Sequence, residues 1–455
     1  MSAVADDKPI VVLGGGLTGL LLALYIARRG LPVEVYDRGP DPRRSTPGGG
    51  RSINLALAER GRLALQRVGL LADVMPLTVP MQGREIHDAD GGRQLQAYGQ
   101  FAGEQIYSIG RHDLTVALAR ACAATDVRLH FNQRCVGVDA AARSATFEAP
   151  DKTQHHCLAQ TLIAADGAGS IVRRTLNDTA GFAADESLLD HGYKELSIPA
   201  TAYGWYRANP NALHIWPRGG HMLIALPNLG GDFTATLFLA NDGDPSFATL
   251  NSEPAIEHFF AKHYADAGTL MPKLRQDFMT NPTGIMGTVR CRRWHHAGDV
   301  LLIGDAAHAI VPFHGQGMNA AFEDCRVFDE LLDEIGPQWP ALYERFETAR
   351  RGNANAIADM ALENYTEMRD SVRDPLFFVR KALAFELEQR APEHFIPRYS
   401  MVMFHPEIAY ADAQQRGATQ AELLARHTAG AASIEDVDIE QALAEVKERL
   451  APMRS

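Results

Sequence analysis

Apolar runs that stop at glycine dominate the N-terminal part of the chain. Residues 9–13 form a continuous apolar run, which predicts a buried strand. Apolar positions recur in residues 20–27, and this helical segment ends at Gly30 with Pro32 just beyond it, as helices commonly end. Residues 33–36 return to a strand-like run, so the pattern predicts a strand–helix–strand unit.

The alternation of strand and helix patterns continues further along the chain. The predicted strands are residues 105–109, 127–131, 162–165 and 300–303, and the predicted helices are residues 52–68, 111–123, 318–332 and a segment that starts at residue 170. Strands that alternate with helices in this way are typical of a doubly wound, mostly parallel sheet.

The pattern changes between about residues 190 and 287. Short β-rich runs at residues 212–217, 221–226 and 233–238 are separated by Gly, Asn and Pro turns. They predict an antiparallel sheet, one face of which forms the wall of a pocket.

A glycine-rich turn follows the first predicted strand. Gly14, Gly16 and Gly19 form the pattern G-x-G-x-x-G at the start of the first helix, and Asp37 follows the second strand. Glycines at such a turn let a pyrophosphate approach the backbone, and an acid about twenty residues later holds a ribose hydroxyl. An acid there disfavours a 2′-phosphate, which leaves FAD or NAD for this cleft; the alternative is a tight turn that binds nothing. Residues 38–50 are a loop by composition, either a lid or a plain connection.

A second pair of small-residue turns follows the last predicted strand. The run 300–303 stops at Gly304 and Asp305, and Gly315 and Gly317 then open a helical segment. Two such turns close together let backbone approach a phosphate and a flat ring, with helix amides facing the anion. Together with the N-terminal fingerprint they specify a flavin.

These patterns predict an α/β fold with a Rossmann-like, discontinuous FAD-binding domain. Its predicted parts are residues 1–72, 105–185 and 288–336; residues 73–104 and 186–287 form an inserted antiparallel β-sheet substrate domain, and residues 337–455 form a C-terminal helical region. The last helix of that region is amphipathic, with apolar positions at Ile439, Leu443, Val446 and Leu450.

Composition narrows the partners and the compartment. At a formal net charge of −12 the chain is a poor match for nucleic acid or an anionic membrane. Its five cysteines have no C-x-x-C spacing, so we expect no disulfide framework, no structural zinc site and no other metal. A reducing cytoplasm is the expected setting, because the N-terminus lacks the features of a signal peptide and no apolar stretch approaches ~18 residues.

Several blocks of the sequence resemble the single-component FAD-dependent aromatic hydroxylases. The general blocks are the glycine fingerprint, Asp166-Gly167 and Gly304-Asp305. The blocks that resemble the branch acting on L-kynurenine are residues 51–57, 213–218, 224–228, 364–369 and 395–399. The resemblance extends from about residue 9 to residue 405.

The resemblance implies a substrate site. Arg84 and Tyr98 would clamp the substrate carboxylate, with Asn364 and Tyr399 completing the polar end, since a guanidinium makes a bidentate, charge-assisted contact to a carboxylate. The apolar wall would consist of Leu213, Met222, Ile224, Thr236 and Phe238, and the turn that faces the flavin of Pro312, Phe313, His314 and Gly315. No side chain is assigned as a catalytic base, His314 included. Without the resemblance, Arg84 is more typical of a surface arginine and the apolar residues of a sheet core.

The resemblance also implies the cofactor contacts. They are Leu17, Asp37, Arg38, Ala56, Arg111, Cys135, Asp305, Met318 and Asn319, together with Gly14, Gly16, Gly19 and Asp166. Asp305 would reach the ribityl or pyrophosphate region. The amides of Met318 and Asn319 would face the pyrimidine end of the ring, where a helix N-terminus stabilises negative charge. Cys135 would act through its backbone.

The activity that the resemblance implies is a hydroxylation that needs NADPH and molecular oxygen. NADPH would transiently reduce bound FAD, and the reduced flavin would carry oxygen as a hydroperoxide to the carbon ortho to the amino group of L-kynurenine. The product would be 3-hydroxy-L-kynurenine, a step of tryptophan breakdown, and the protein would orient the ring and exclude water. Eukaryotic relatives carry a C-terminal membrane anchor, but the region beyond residue 411 is polar and helical in this chain, so it resembles the soluble bacterial form.

Three alternatives stay open at this point. The pocket could take another aromatic acid, the fingerprint could belong to an NAD-dependent dehydrogenase, or the scaffold could bind a dinucleotide without catalysis, as a prenyl-carrier chaperone does. The second Gly-Asp turn disfavours the dehydrogenase. Arg111, Asp305 and Asn319 disfavour the non-catalytic module, because they are flavin-facing residues in the resemblance.

Overall fold

The computed structural model describes residues 8–44, 54–177, 183–370 and 375–453. The end of the predicted loop 38–50 and the start of the 51–57 block lie outside the described residues. The strands are β1 (Ile10–Leu13), β2 (Val33–Tyr36), β3 (Asn54–Leu57), β4 (Thr78–Met81), β5 (Gly83–His87), β6 (Arg93–Ala97), β7 (Ile106–Gly110), β8 (Arg128–His130), β9 (Arg134–Asp139), β10 (Ser144–Glu148), β11 (Gln154–Leu158), β12 (Thr161–Ala164), β13 (Ala184–Ile198), β14 (Ala212–Pro217), β15 (Met222–Pro227), β16 (Phe233–Ala240), β17 (Thr283–Cys291), β18 (His295–His296) and β19 (Val300–Leu302).

The helices lie mainly around the first sheet and in the C-terminal region. They are α1 (Leu17–Arg28), α2 (Glu59–Arg67), α3 (Leu71–Val74), α4 (Arg111–Ala123), α5 (Ile171–Asn177), α6 (Glu253–His263), α7 (Ala265–Thr269), α8 (Leu274–Thr280), α9 (Asp305–His308), α10 (Gly317–Ile335), α11 (Trp339–Asp370), α12 (Pro375–Arg390), α13 (Arg398–Phe404), α14 (Tyr410–His427) and α15 (Ile439–Arg449). The predicted helical C-terminal region is therefore confirmed. No helix among the described residues has a stretch that is both long and apolar enough to cross a membrane.

The first sheet is built from short apolar strands, as the hydrophobic runs predict. Its order is β18-β19-β12-β1-β2-β8, and neighbouring strands are parallel except for β18 and β19. Every residue of β1 and β12 is buried, which is typical of parallel strands covered on both faces. The doubly wound sheet is confirmed, and its strand order reverses between β1 and β12, where such sheets bind ligands.

The second sheet has the order β17-β13-β16-β15-β14-β5-β6. The three predicted β-rich runs form β14, β15 and β16, which pair antiparallel in sequence order. One pairing differs from the prediction: β5 lies parallel to β14, with Arg84 opposite Leu213, so the sheet is mixed. A parallel pair needs a long connection rather than a hairpin, and no local turn pattern reveals it.

The predicted helix at residues 52–68 is wrong in its first part. Residues Asn54–Leu57 form β3, which pairs antiparallel with β7, and α2 begins at Glu59. Leu55 and Leu57 lie two positions apart and both pack against the core of the first sheet. Pairing with β7 decides the conformation of this segment, because strand preference depends on the neighbouring strand more than on the residues themselves.

Two parts of the fold have no counterpart among the predicted elements. Strands β9, β10 and β11 form a small antiparallel sheet. Helices α6 to α8 cover one face of the seven-stranded sheet, where Phe259, Phe260 and Tyr264 pack with Trp216 and Leu223. Because side chains alternate along a strand, the opposite face of the same strands is left to line a cavity.

A buried ion-pair network joins α9, α10 and α11. The carboxylate of Asp324 accepts hydrogen bonds from Arg350 Nε at 2.7 Å and from the backbone amide of Gly304 at 3.1 Å, and it lies 2.5 Å from His308 Nε2. Arg350 Nη1 also lies 2.7 Å from Glu323. Burial alone would raise the pKa of Asp324, but His308 and Arg350 hold that pKa below its ordinary value.

We expect Arg350→Met to lower the free energy of unfolding by about 3 kcal/mol or more, because it leaves two buried carboxylates short of a partner. Arg345→Met is the matched control on the same helix: it removes an exposed ion pair with Glu334 and should change that free energy by less than about 1 kcal/mol. Urea unfolding of the flavin-loaded protein measures both variants. Equal losses in the two would contradict the prediction.

The same network predicts the pH dependence of that difference. The pKa of Asp324 is lower in the folded than in the unfolded chain, so its contribution is present above the unfolded value, about 4, and is lost as the pH falls through the folded one. The stability gap between the wild-type protein and Arg350→Met should therefore narrow on acidification below about pH 4. Unfolding curves in a pH series test this, and a gap that widens in acid would refute it.

Candidate functional site

The glycine turn after β1 is held by its own close contacts. Gly14 has a φ of +107°, and a Cβ there would lie 2.3 Å from the carbonyl oxygen of Ala165. A Cβ on Gly19 would lie 1.9 Å from the carbonyl oxygen of Gly14. At Gly16, by contrast, nothing lies within 4 Å of the Cβ position, so the N-terminus of α1 faces open space. Only glycine fits at positions 14 and 19, and the open space at Gly16 leaves room for a phosphate.

Asp37 shapes this turn from the end of β2. Its Oδ2 accepts a hydrogen bond from the backbone amide of Gly15 at 2.7 Å, and its Oδ1 accepts one from Gly39 at 2.6 Å. The carboxylate is half-buried, and the neighbouring Arg38 is exposed. Asp37 therefore fixes the backbone of the glycine turn as well as standing where a ribose is predicted.

The second small-residue turn follows β19. Gly304 has a φ of +60°, a conformation that favours glycine, and Asp305 begins α9 directly after it. Asp305 and Arg111, the first residue of α4, line the same large cavity. The side chain of Asn319 ties this region together: its Nδ2 donates to the carbonyl oxygens of Ala56 and Gly315 at 2.8 and 2.9 Å.

The other predicted cofactor residues differ in their surroundings. Leu17 is buried at the start of α1, and Met318 is half-buried at the start of α10. Asp166 accepts a hydrogen bond from the backbone amide of Ile171 at 2.8 Å, so it caps α5, and burial raises its pKa. Burial raises the pKa of Cys135 to about 11, so its thiol is protonated near neutral pH.

This edge of the first sheet fits a flavin dinucleotide. The open N-terminus of α1 at Gly16 suits the pyrophosphate, and the N-terminus of α10 beside Met318 suits the electron-accepting end of the ring. Asp305 and Arg111 both line the cavity.

A cavity of about 650 Å³ extends from this edge to the seven-stranded sheet. The predicted residues that line it are Ala56, Arg84, Tyr98, Arg111, Leu213, Ile224, Thr236, Phe238, Asp305, Pro312, Phe313, His314, Gly315 and Tyr399. Met222 is not among its lining residues: it is fully buried in the apolar cluster that also contains Phe313 and Tyr365.

Arg84 forms the polar end of the cavity. It is 9% exposed, and its guanidinium carbon lies 4.6 Å from the ring centre of Tyr399 and 5.9 Å from that of Tyr98. No ion pair joins Arg84 to a carboxylate of the described residues, although the charge of Glu367 acts on it from a longer distance, and its Nε makes no hydrogen bond in that part of the chain. A buried guanidinium that is not paired with a carboxylate at close range is unfavourable, so this position favours an anionic ligand.

The two tyrosines beside Arg84 are neutral donors. Their rings stack with centres 5.8 Å apart, and burial raises the pKa of both phenols. Asn364 is placed differently: its Nδ2 donates to the carbonyl oxygen of Phe313 at 2.6 Å. It lines a neighbouring cavity of about 670 Å³, which shares Arg84 and the tyrosines as a wall.

His314 lies at the junction of the two cavities. Its ring stacks on Tyr399 with centres 5.3 Å apart, and burial lowers its pKa to about 3. A neutral imidazole with such a low pKa is a weak base near neutral pH, which agrees with assigning it no base role.

Some lining residues were not predicted. Met81, Ile106, Leu226, Met286 and Met403 also contact the cavity. Leu226 continues the period-two alternation of Met222 and Ile224 along β15, so the strand pattern could have revealed it. Met403 comes from α13, and no local pattern links that helix to the sheet.

Comparison with known proteins agrees with this geometry. Residues 7–361 match the family described as FAD binding domain. Kynurenine 3-monooxygenase of Stenotrophomonas maltophilia (strain K279a) is 46% identical over 433 residues, which are 95% of either chain. The protein of the same name from Xanthomonas campestris pv. campestris (strain 8004) is 45% identical over 454 residues, 100% of this chain and 99% of that one.

Among solved structures, the tetrameric form of 2-methyl-3-hydroxypyridine-5-carboxylic acid oxygenase is similar in fold. It matches with a TM-score of 0.65 and 21% identity over 82% of this chain and 95% of that chain. The fold, the two flavin turns and the relatives lead to one conclusion: the chain belongs to the FAD-binding-domain family and, within it, to the kynurenine 3-monooxygenase family.

Proposed function

We propose that this protein hydroxylates L-kynurenine at the ring carbon ortho to the amino group, with NADPH and molecular oxygen as co-substrates, to give 3-hydroxy-L-kynurenine. The names of its relatives support the substrate. The observation that carries the substrate class is Arg84, a buried cation in the lining of a mostly apolar cavity that forms no ion pair with a carboxylate of the described residues. Bound FAD supplies the redox chemistry, taking electrons from NADPH and activating oxygen.

The polar end of the cavity suits an α-amino acid. The guanidinium of Arg84 binds the substrate carboxylate through paired, charge-assisted hydrogen bonds, and Tyr98 and Tyr399 add phenol donors. Asn364 acts on this end indirectly, because its amide holds the carbonyl of Phe313 on the turn that faces the flavin.

The apolar walls position the ring and exclude water. Leu213, Ile224 and Phe238 project from three strands of one rigid sheet, so the ring is held at a fixed place between Arg84 and the flavin edge. Exclusion of water protects the activated oxygen from wasteful decay. The amino group of the substrate activates the ring for attack, so no strong protein base is required, in agreement with the neutral His314.

We also propose that the chain divides into the three predicted regions. Strands β13 and β17 run through residues 186 and 288, at which one predicted region ends and the next begins.

We propose further that the protein works in the cytoplasm. Its five free cysteines support this location.

The direct test is NADPH oxidation by the flavin-loaded protein, with and without L-kynurenine, while 3-hydroxy-L-kynurenine and hydrogen peroxide are quantified. We expect strong stimulation and nearly one product per NADPH. Stimulation that yields mostly hydrogen peroxide would assign the pocket to a different aromatic acid, and absence of stimulation would refute the substrate.

We expect Arg84→Met to weaken L-kynurenine binding about 100-fold, because charge-assisted hydrogen bonds of a few kcal/mol are lost. FAD occupancy should stay near that of the wild-type protein. Arg93→Met, on the adjacent strand β6 and exposed, is the matched control and should change the affinity less than about twofold. The measurement is titration of the flavin absorbance spectrum with substrate.

Kynuramine, which lacks the carboxylate, separates charge recognition from general damage to the pocket. It should bind the wild-type protein weakly and lose little further affinity in Arg84→Met. An equal loss for both ligands would contradict the assignment of Arg84 to the carboxylate.

We expect Gly16→Val to lower FAD affinity at least about tenfold, because the added side chain would occupy the open space at the N-terminus of α1. The backbone of Gly16 has a φ of −76°, which valine adopts, and no protein atom obstructs its Cβ, so the apoprotein should fold. Gly352→Val, at an equally open position on α11, is the control and should keep its FAD. Flavin retained after gel filtration measures the effect, and normal retention in Gly16→Val would refute it.

A further inference from the structure

Three metal-binding side chains meet on the face of the seven-stranded sheet that is remote from the cavity. Glu85 and His87 lie two positions apart on β5, so they share one face. His214 on β14 pairs directly with Glu85 in the parallel register. Arg84 lies between the first two in sequence and projects from the other face, towards the substrate cavity.

The ligand atoms of this group lie close together. His87 Nε2 is 2.9 Å from His214 Nδ1 and 4.0 Å from Glu85 Oε1, and one ligand atom from each of the three falls within 4.8 Å of the others. The two histidine side chains are buried, whereas the side chain of Glu85 is 13% exposed. The group therefore combines two buried imidazoles with one carboxylate that is partly accessible to solvent.

Without a bound cation, the hydrogen bonds leave one imidazole nitrogen, His87 Nδ1, without a donor. His214 Nε2 faces the carbonyl oxygen of Asn209 at 2.8 Å and must carry hydrogen, so its Nδ1 accepts from His87 Nε2. A neutral imidazole carries one hydrogen, and in this arrangement the hydrogen of His87 is on its Nε2. The bare Nδ1 of His87 then lies 3.5 Å from a carboxylate oxygen of Asp266 and makes no hydrogen bond among the described residues.

A bound cation would remove the unfavourable contact between His87 Nδ1 and the carboxylate of Asp266. With both inward nitrogens, His87 Nε2 and His214 Nδ1, bound to the metal, the outer nitrogens both carry hydrogen. His214 then donates to the carbonyl of Asn209, and His87 donates to Asp266. Metal-bound histidines usually have such partners, a carbonyl or a carboxylate, on their outer nitrogens. Glu85 is oriented in the same way, since Asn209 Nδ2 donates to its Oε2 at 3.1 Å.

We propose that Glu85, His87 and His214 form a binding site for a divalent cation of the zinc class. Two imidazoles and one carboxylate are a common zinc ligand set, with water completing a tetrahedron. Zinc ligands at 2.0–2.1 Å stand about 3.4 Å apart, so the imidazole nitrogens must separate by about 0.5 Å and the carboxylate must close by about 0.6 Å. The partly exposed carboxylates of Asp266 and Glu85 would mark the side from which the ion enters.

The proposed ion runs against the expectation from the sequence that the chain binds no metal. That expectation rested on cysteine spacing, and the present ligands are two histidines and a glutamate on strands that are distant in the sequence. The site joins β5 to β14, so the ion would stabilise the parallel pair that presents Arg84 on its opposite face. The proposed ion takes no part in the proposed reaction.

The test uses the full-length, flavin-loaded protein after treatment with a chelator. Calorimetric titration with Zn²⁺ should show one saturable site per chain, and Co²⁺ at that site should give a tetrahedral spectrum without a thiolate charge-transfer band. Binding that does not saturate, or a thiolate band, would overturn the proposal.

Conservative variants assign the site to these residues. Glu85→Gln should weaken Zn²⁺ binding at least tenfold, and Asp266→Asn about tenfold, because the outer partner of His87 is lost. The control is the double variant His155→Gln, His156→Gln, which removes two exposed histidines of β11 and should leave the affinity unchanged. Unchanged affinity in both Glu85→Gln and Asp266→Asn, or lost binding in the control, would overturn the assignment.

Discussion

The buried carboxylate of Asp324 is the group on which the flavin end of the molecule depends. It binds the backbone amide of Gly304, the imidazole of His308 and the guanidinium of Arg350, which belong to the turn after β19, to α9 and to α11. A buried charge persists only when its partners are fixed around it, so the carboxylate orders all three elements at once. Asp324 therefore fixes the backbone turn at Gly304, although Asp324 itself does not line the cavity.

Helix α11 extends this constraint to the substrate end. Arg350 anchors the helix to Asp324, and further along the same helix Asn364 donates to the carbonyl of Phe313. The turn that carries Phe313 and His314 lies between the two cavities, beside Tyr399. One helix thus connects the turn after β19 to the turn between the two cavities, and in the proposed function this connection helps to position the substrate relative to the flavin.

Local patterns were enough to predict the parallel sheet, the glycine turns and the hairpins β14 to β16, because each depends on residues that are close in sequence. The parallel pair of β5 with β14 and the strand β3 could not be predicted, since each depends on a partner strand far along the chain. The same holds for the candidate site. The family resemblance implies a carboxylate clamp at Arg84, which by itself is more typical of a surface arginine, and its burial appears only when β5, α11 and α13 are assembled.

The two faces of strand β5 serve different purposes. It lies between β14 and the largely exposed strand β6, and parallel pairs are slightly less stable per residue than antiparallel ones. Yet it must hold a desolvated guanidinium on the cavity face. On the other face, His87 stacks on Trp216 with ring centres 4.1 Å apart and bonds to His214 across the strand pair. Since alternate side chains share one backbone, any order gained on that face also limits the movement of Arg84 on the other.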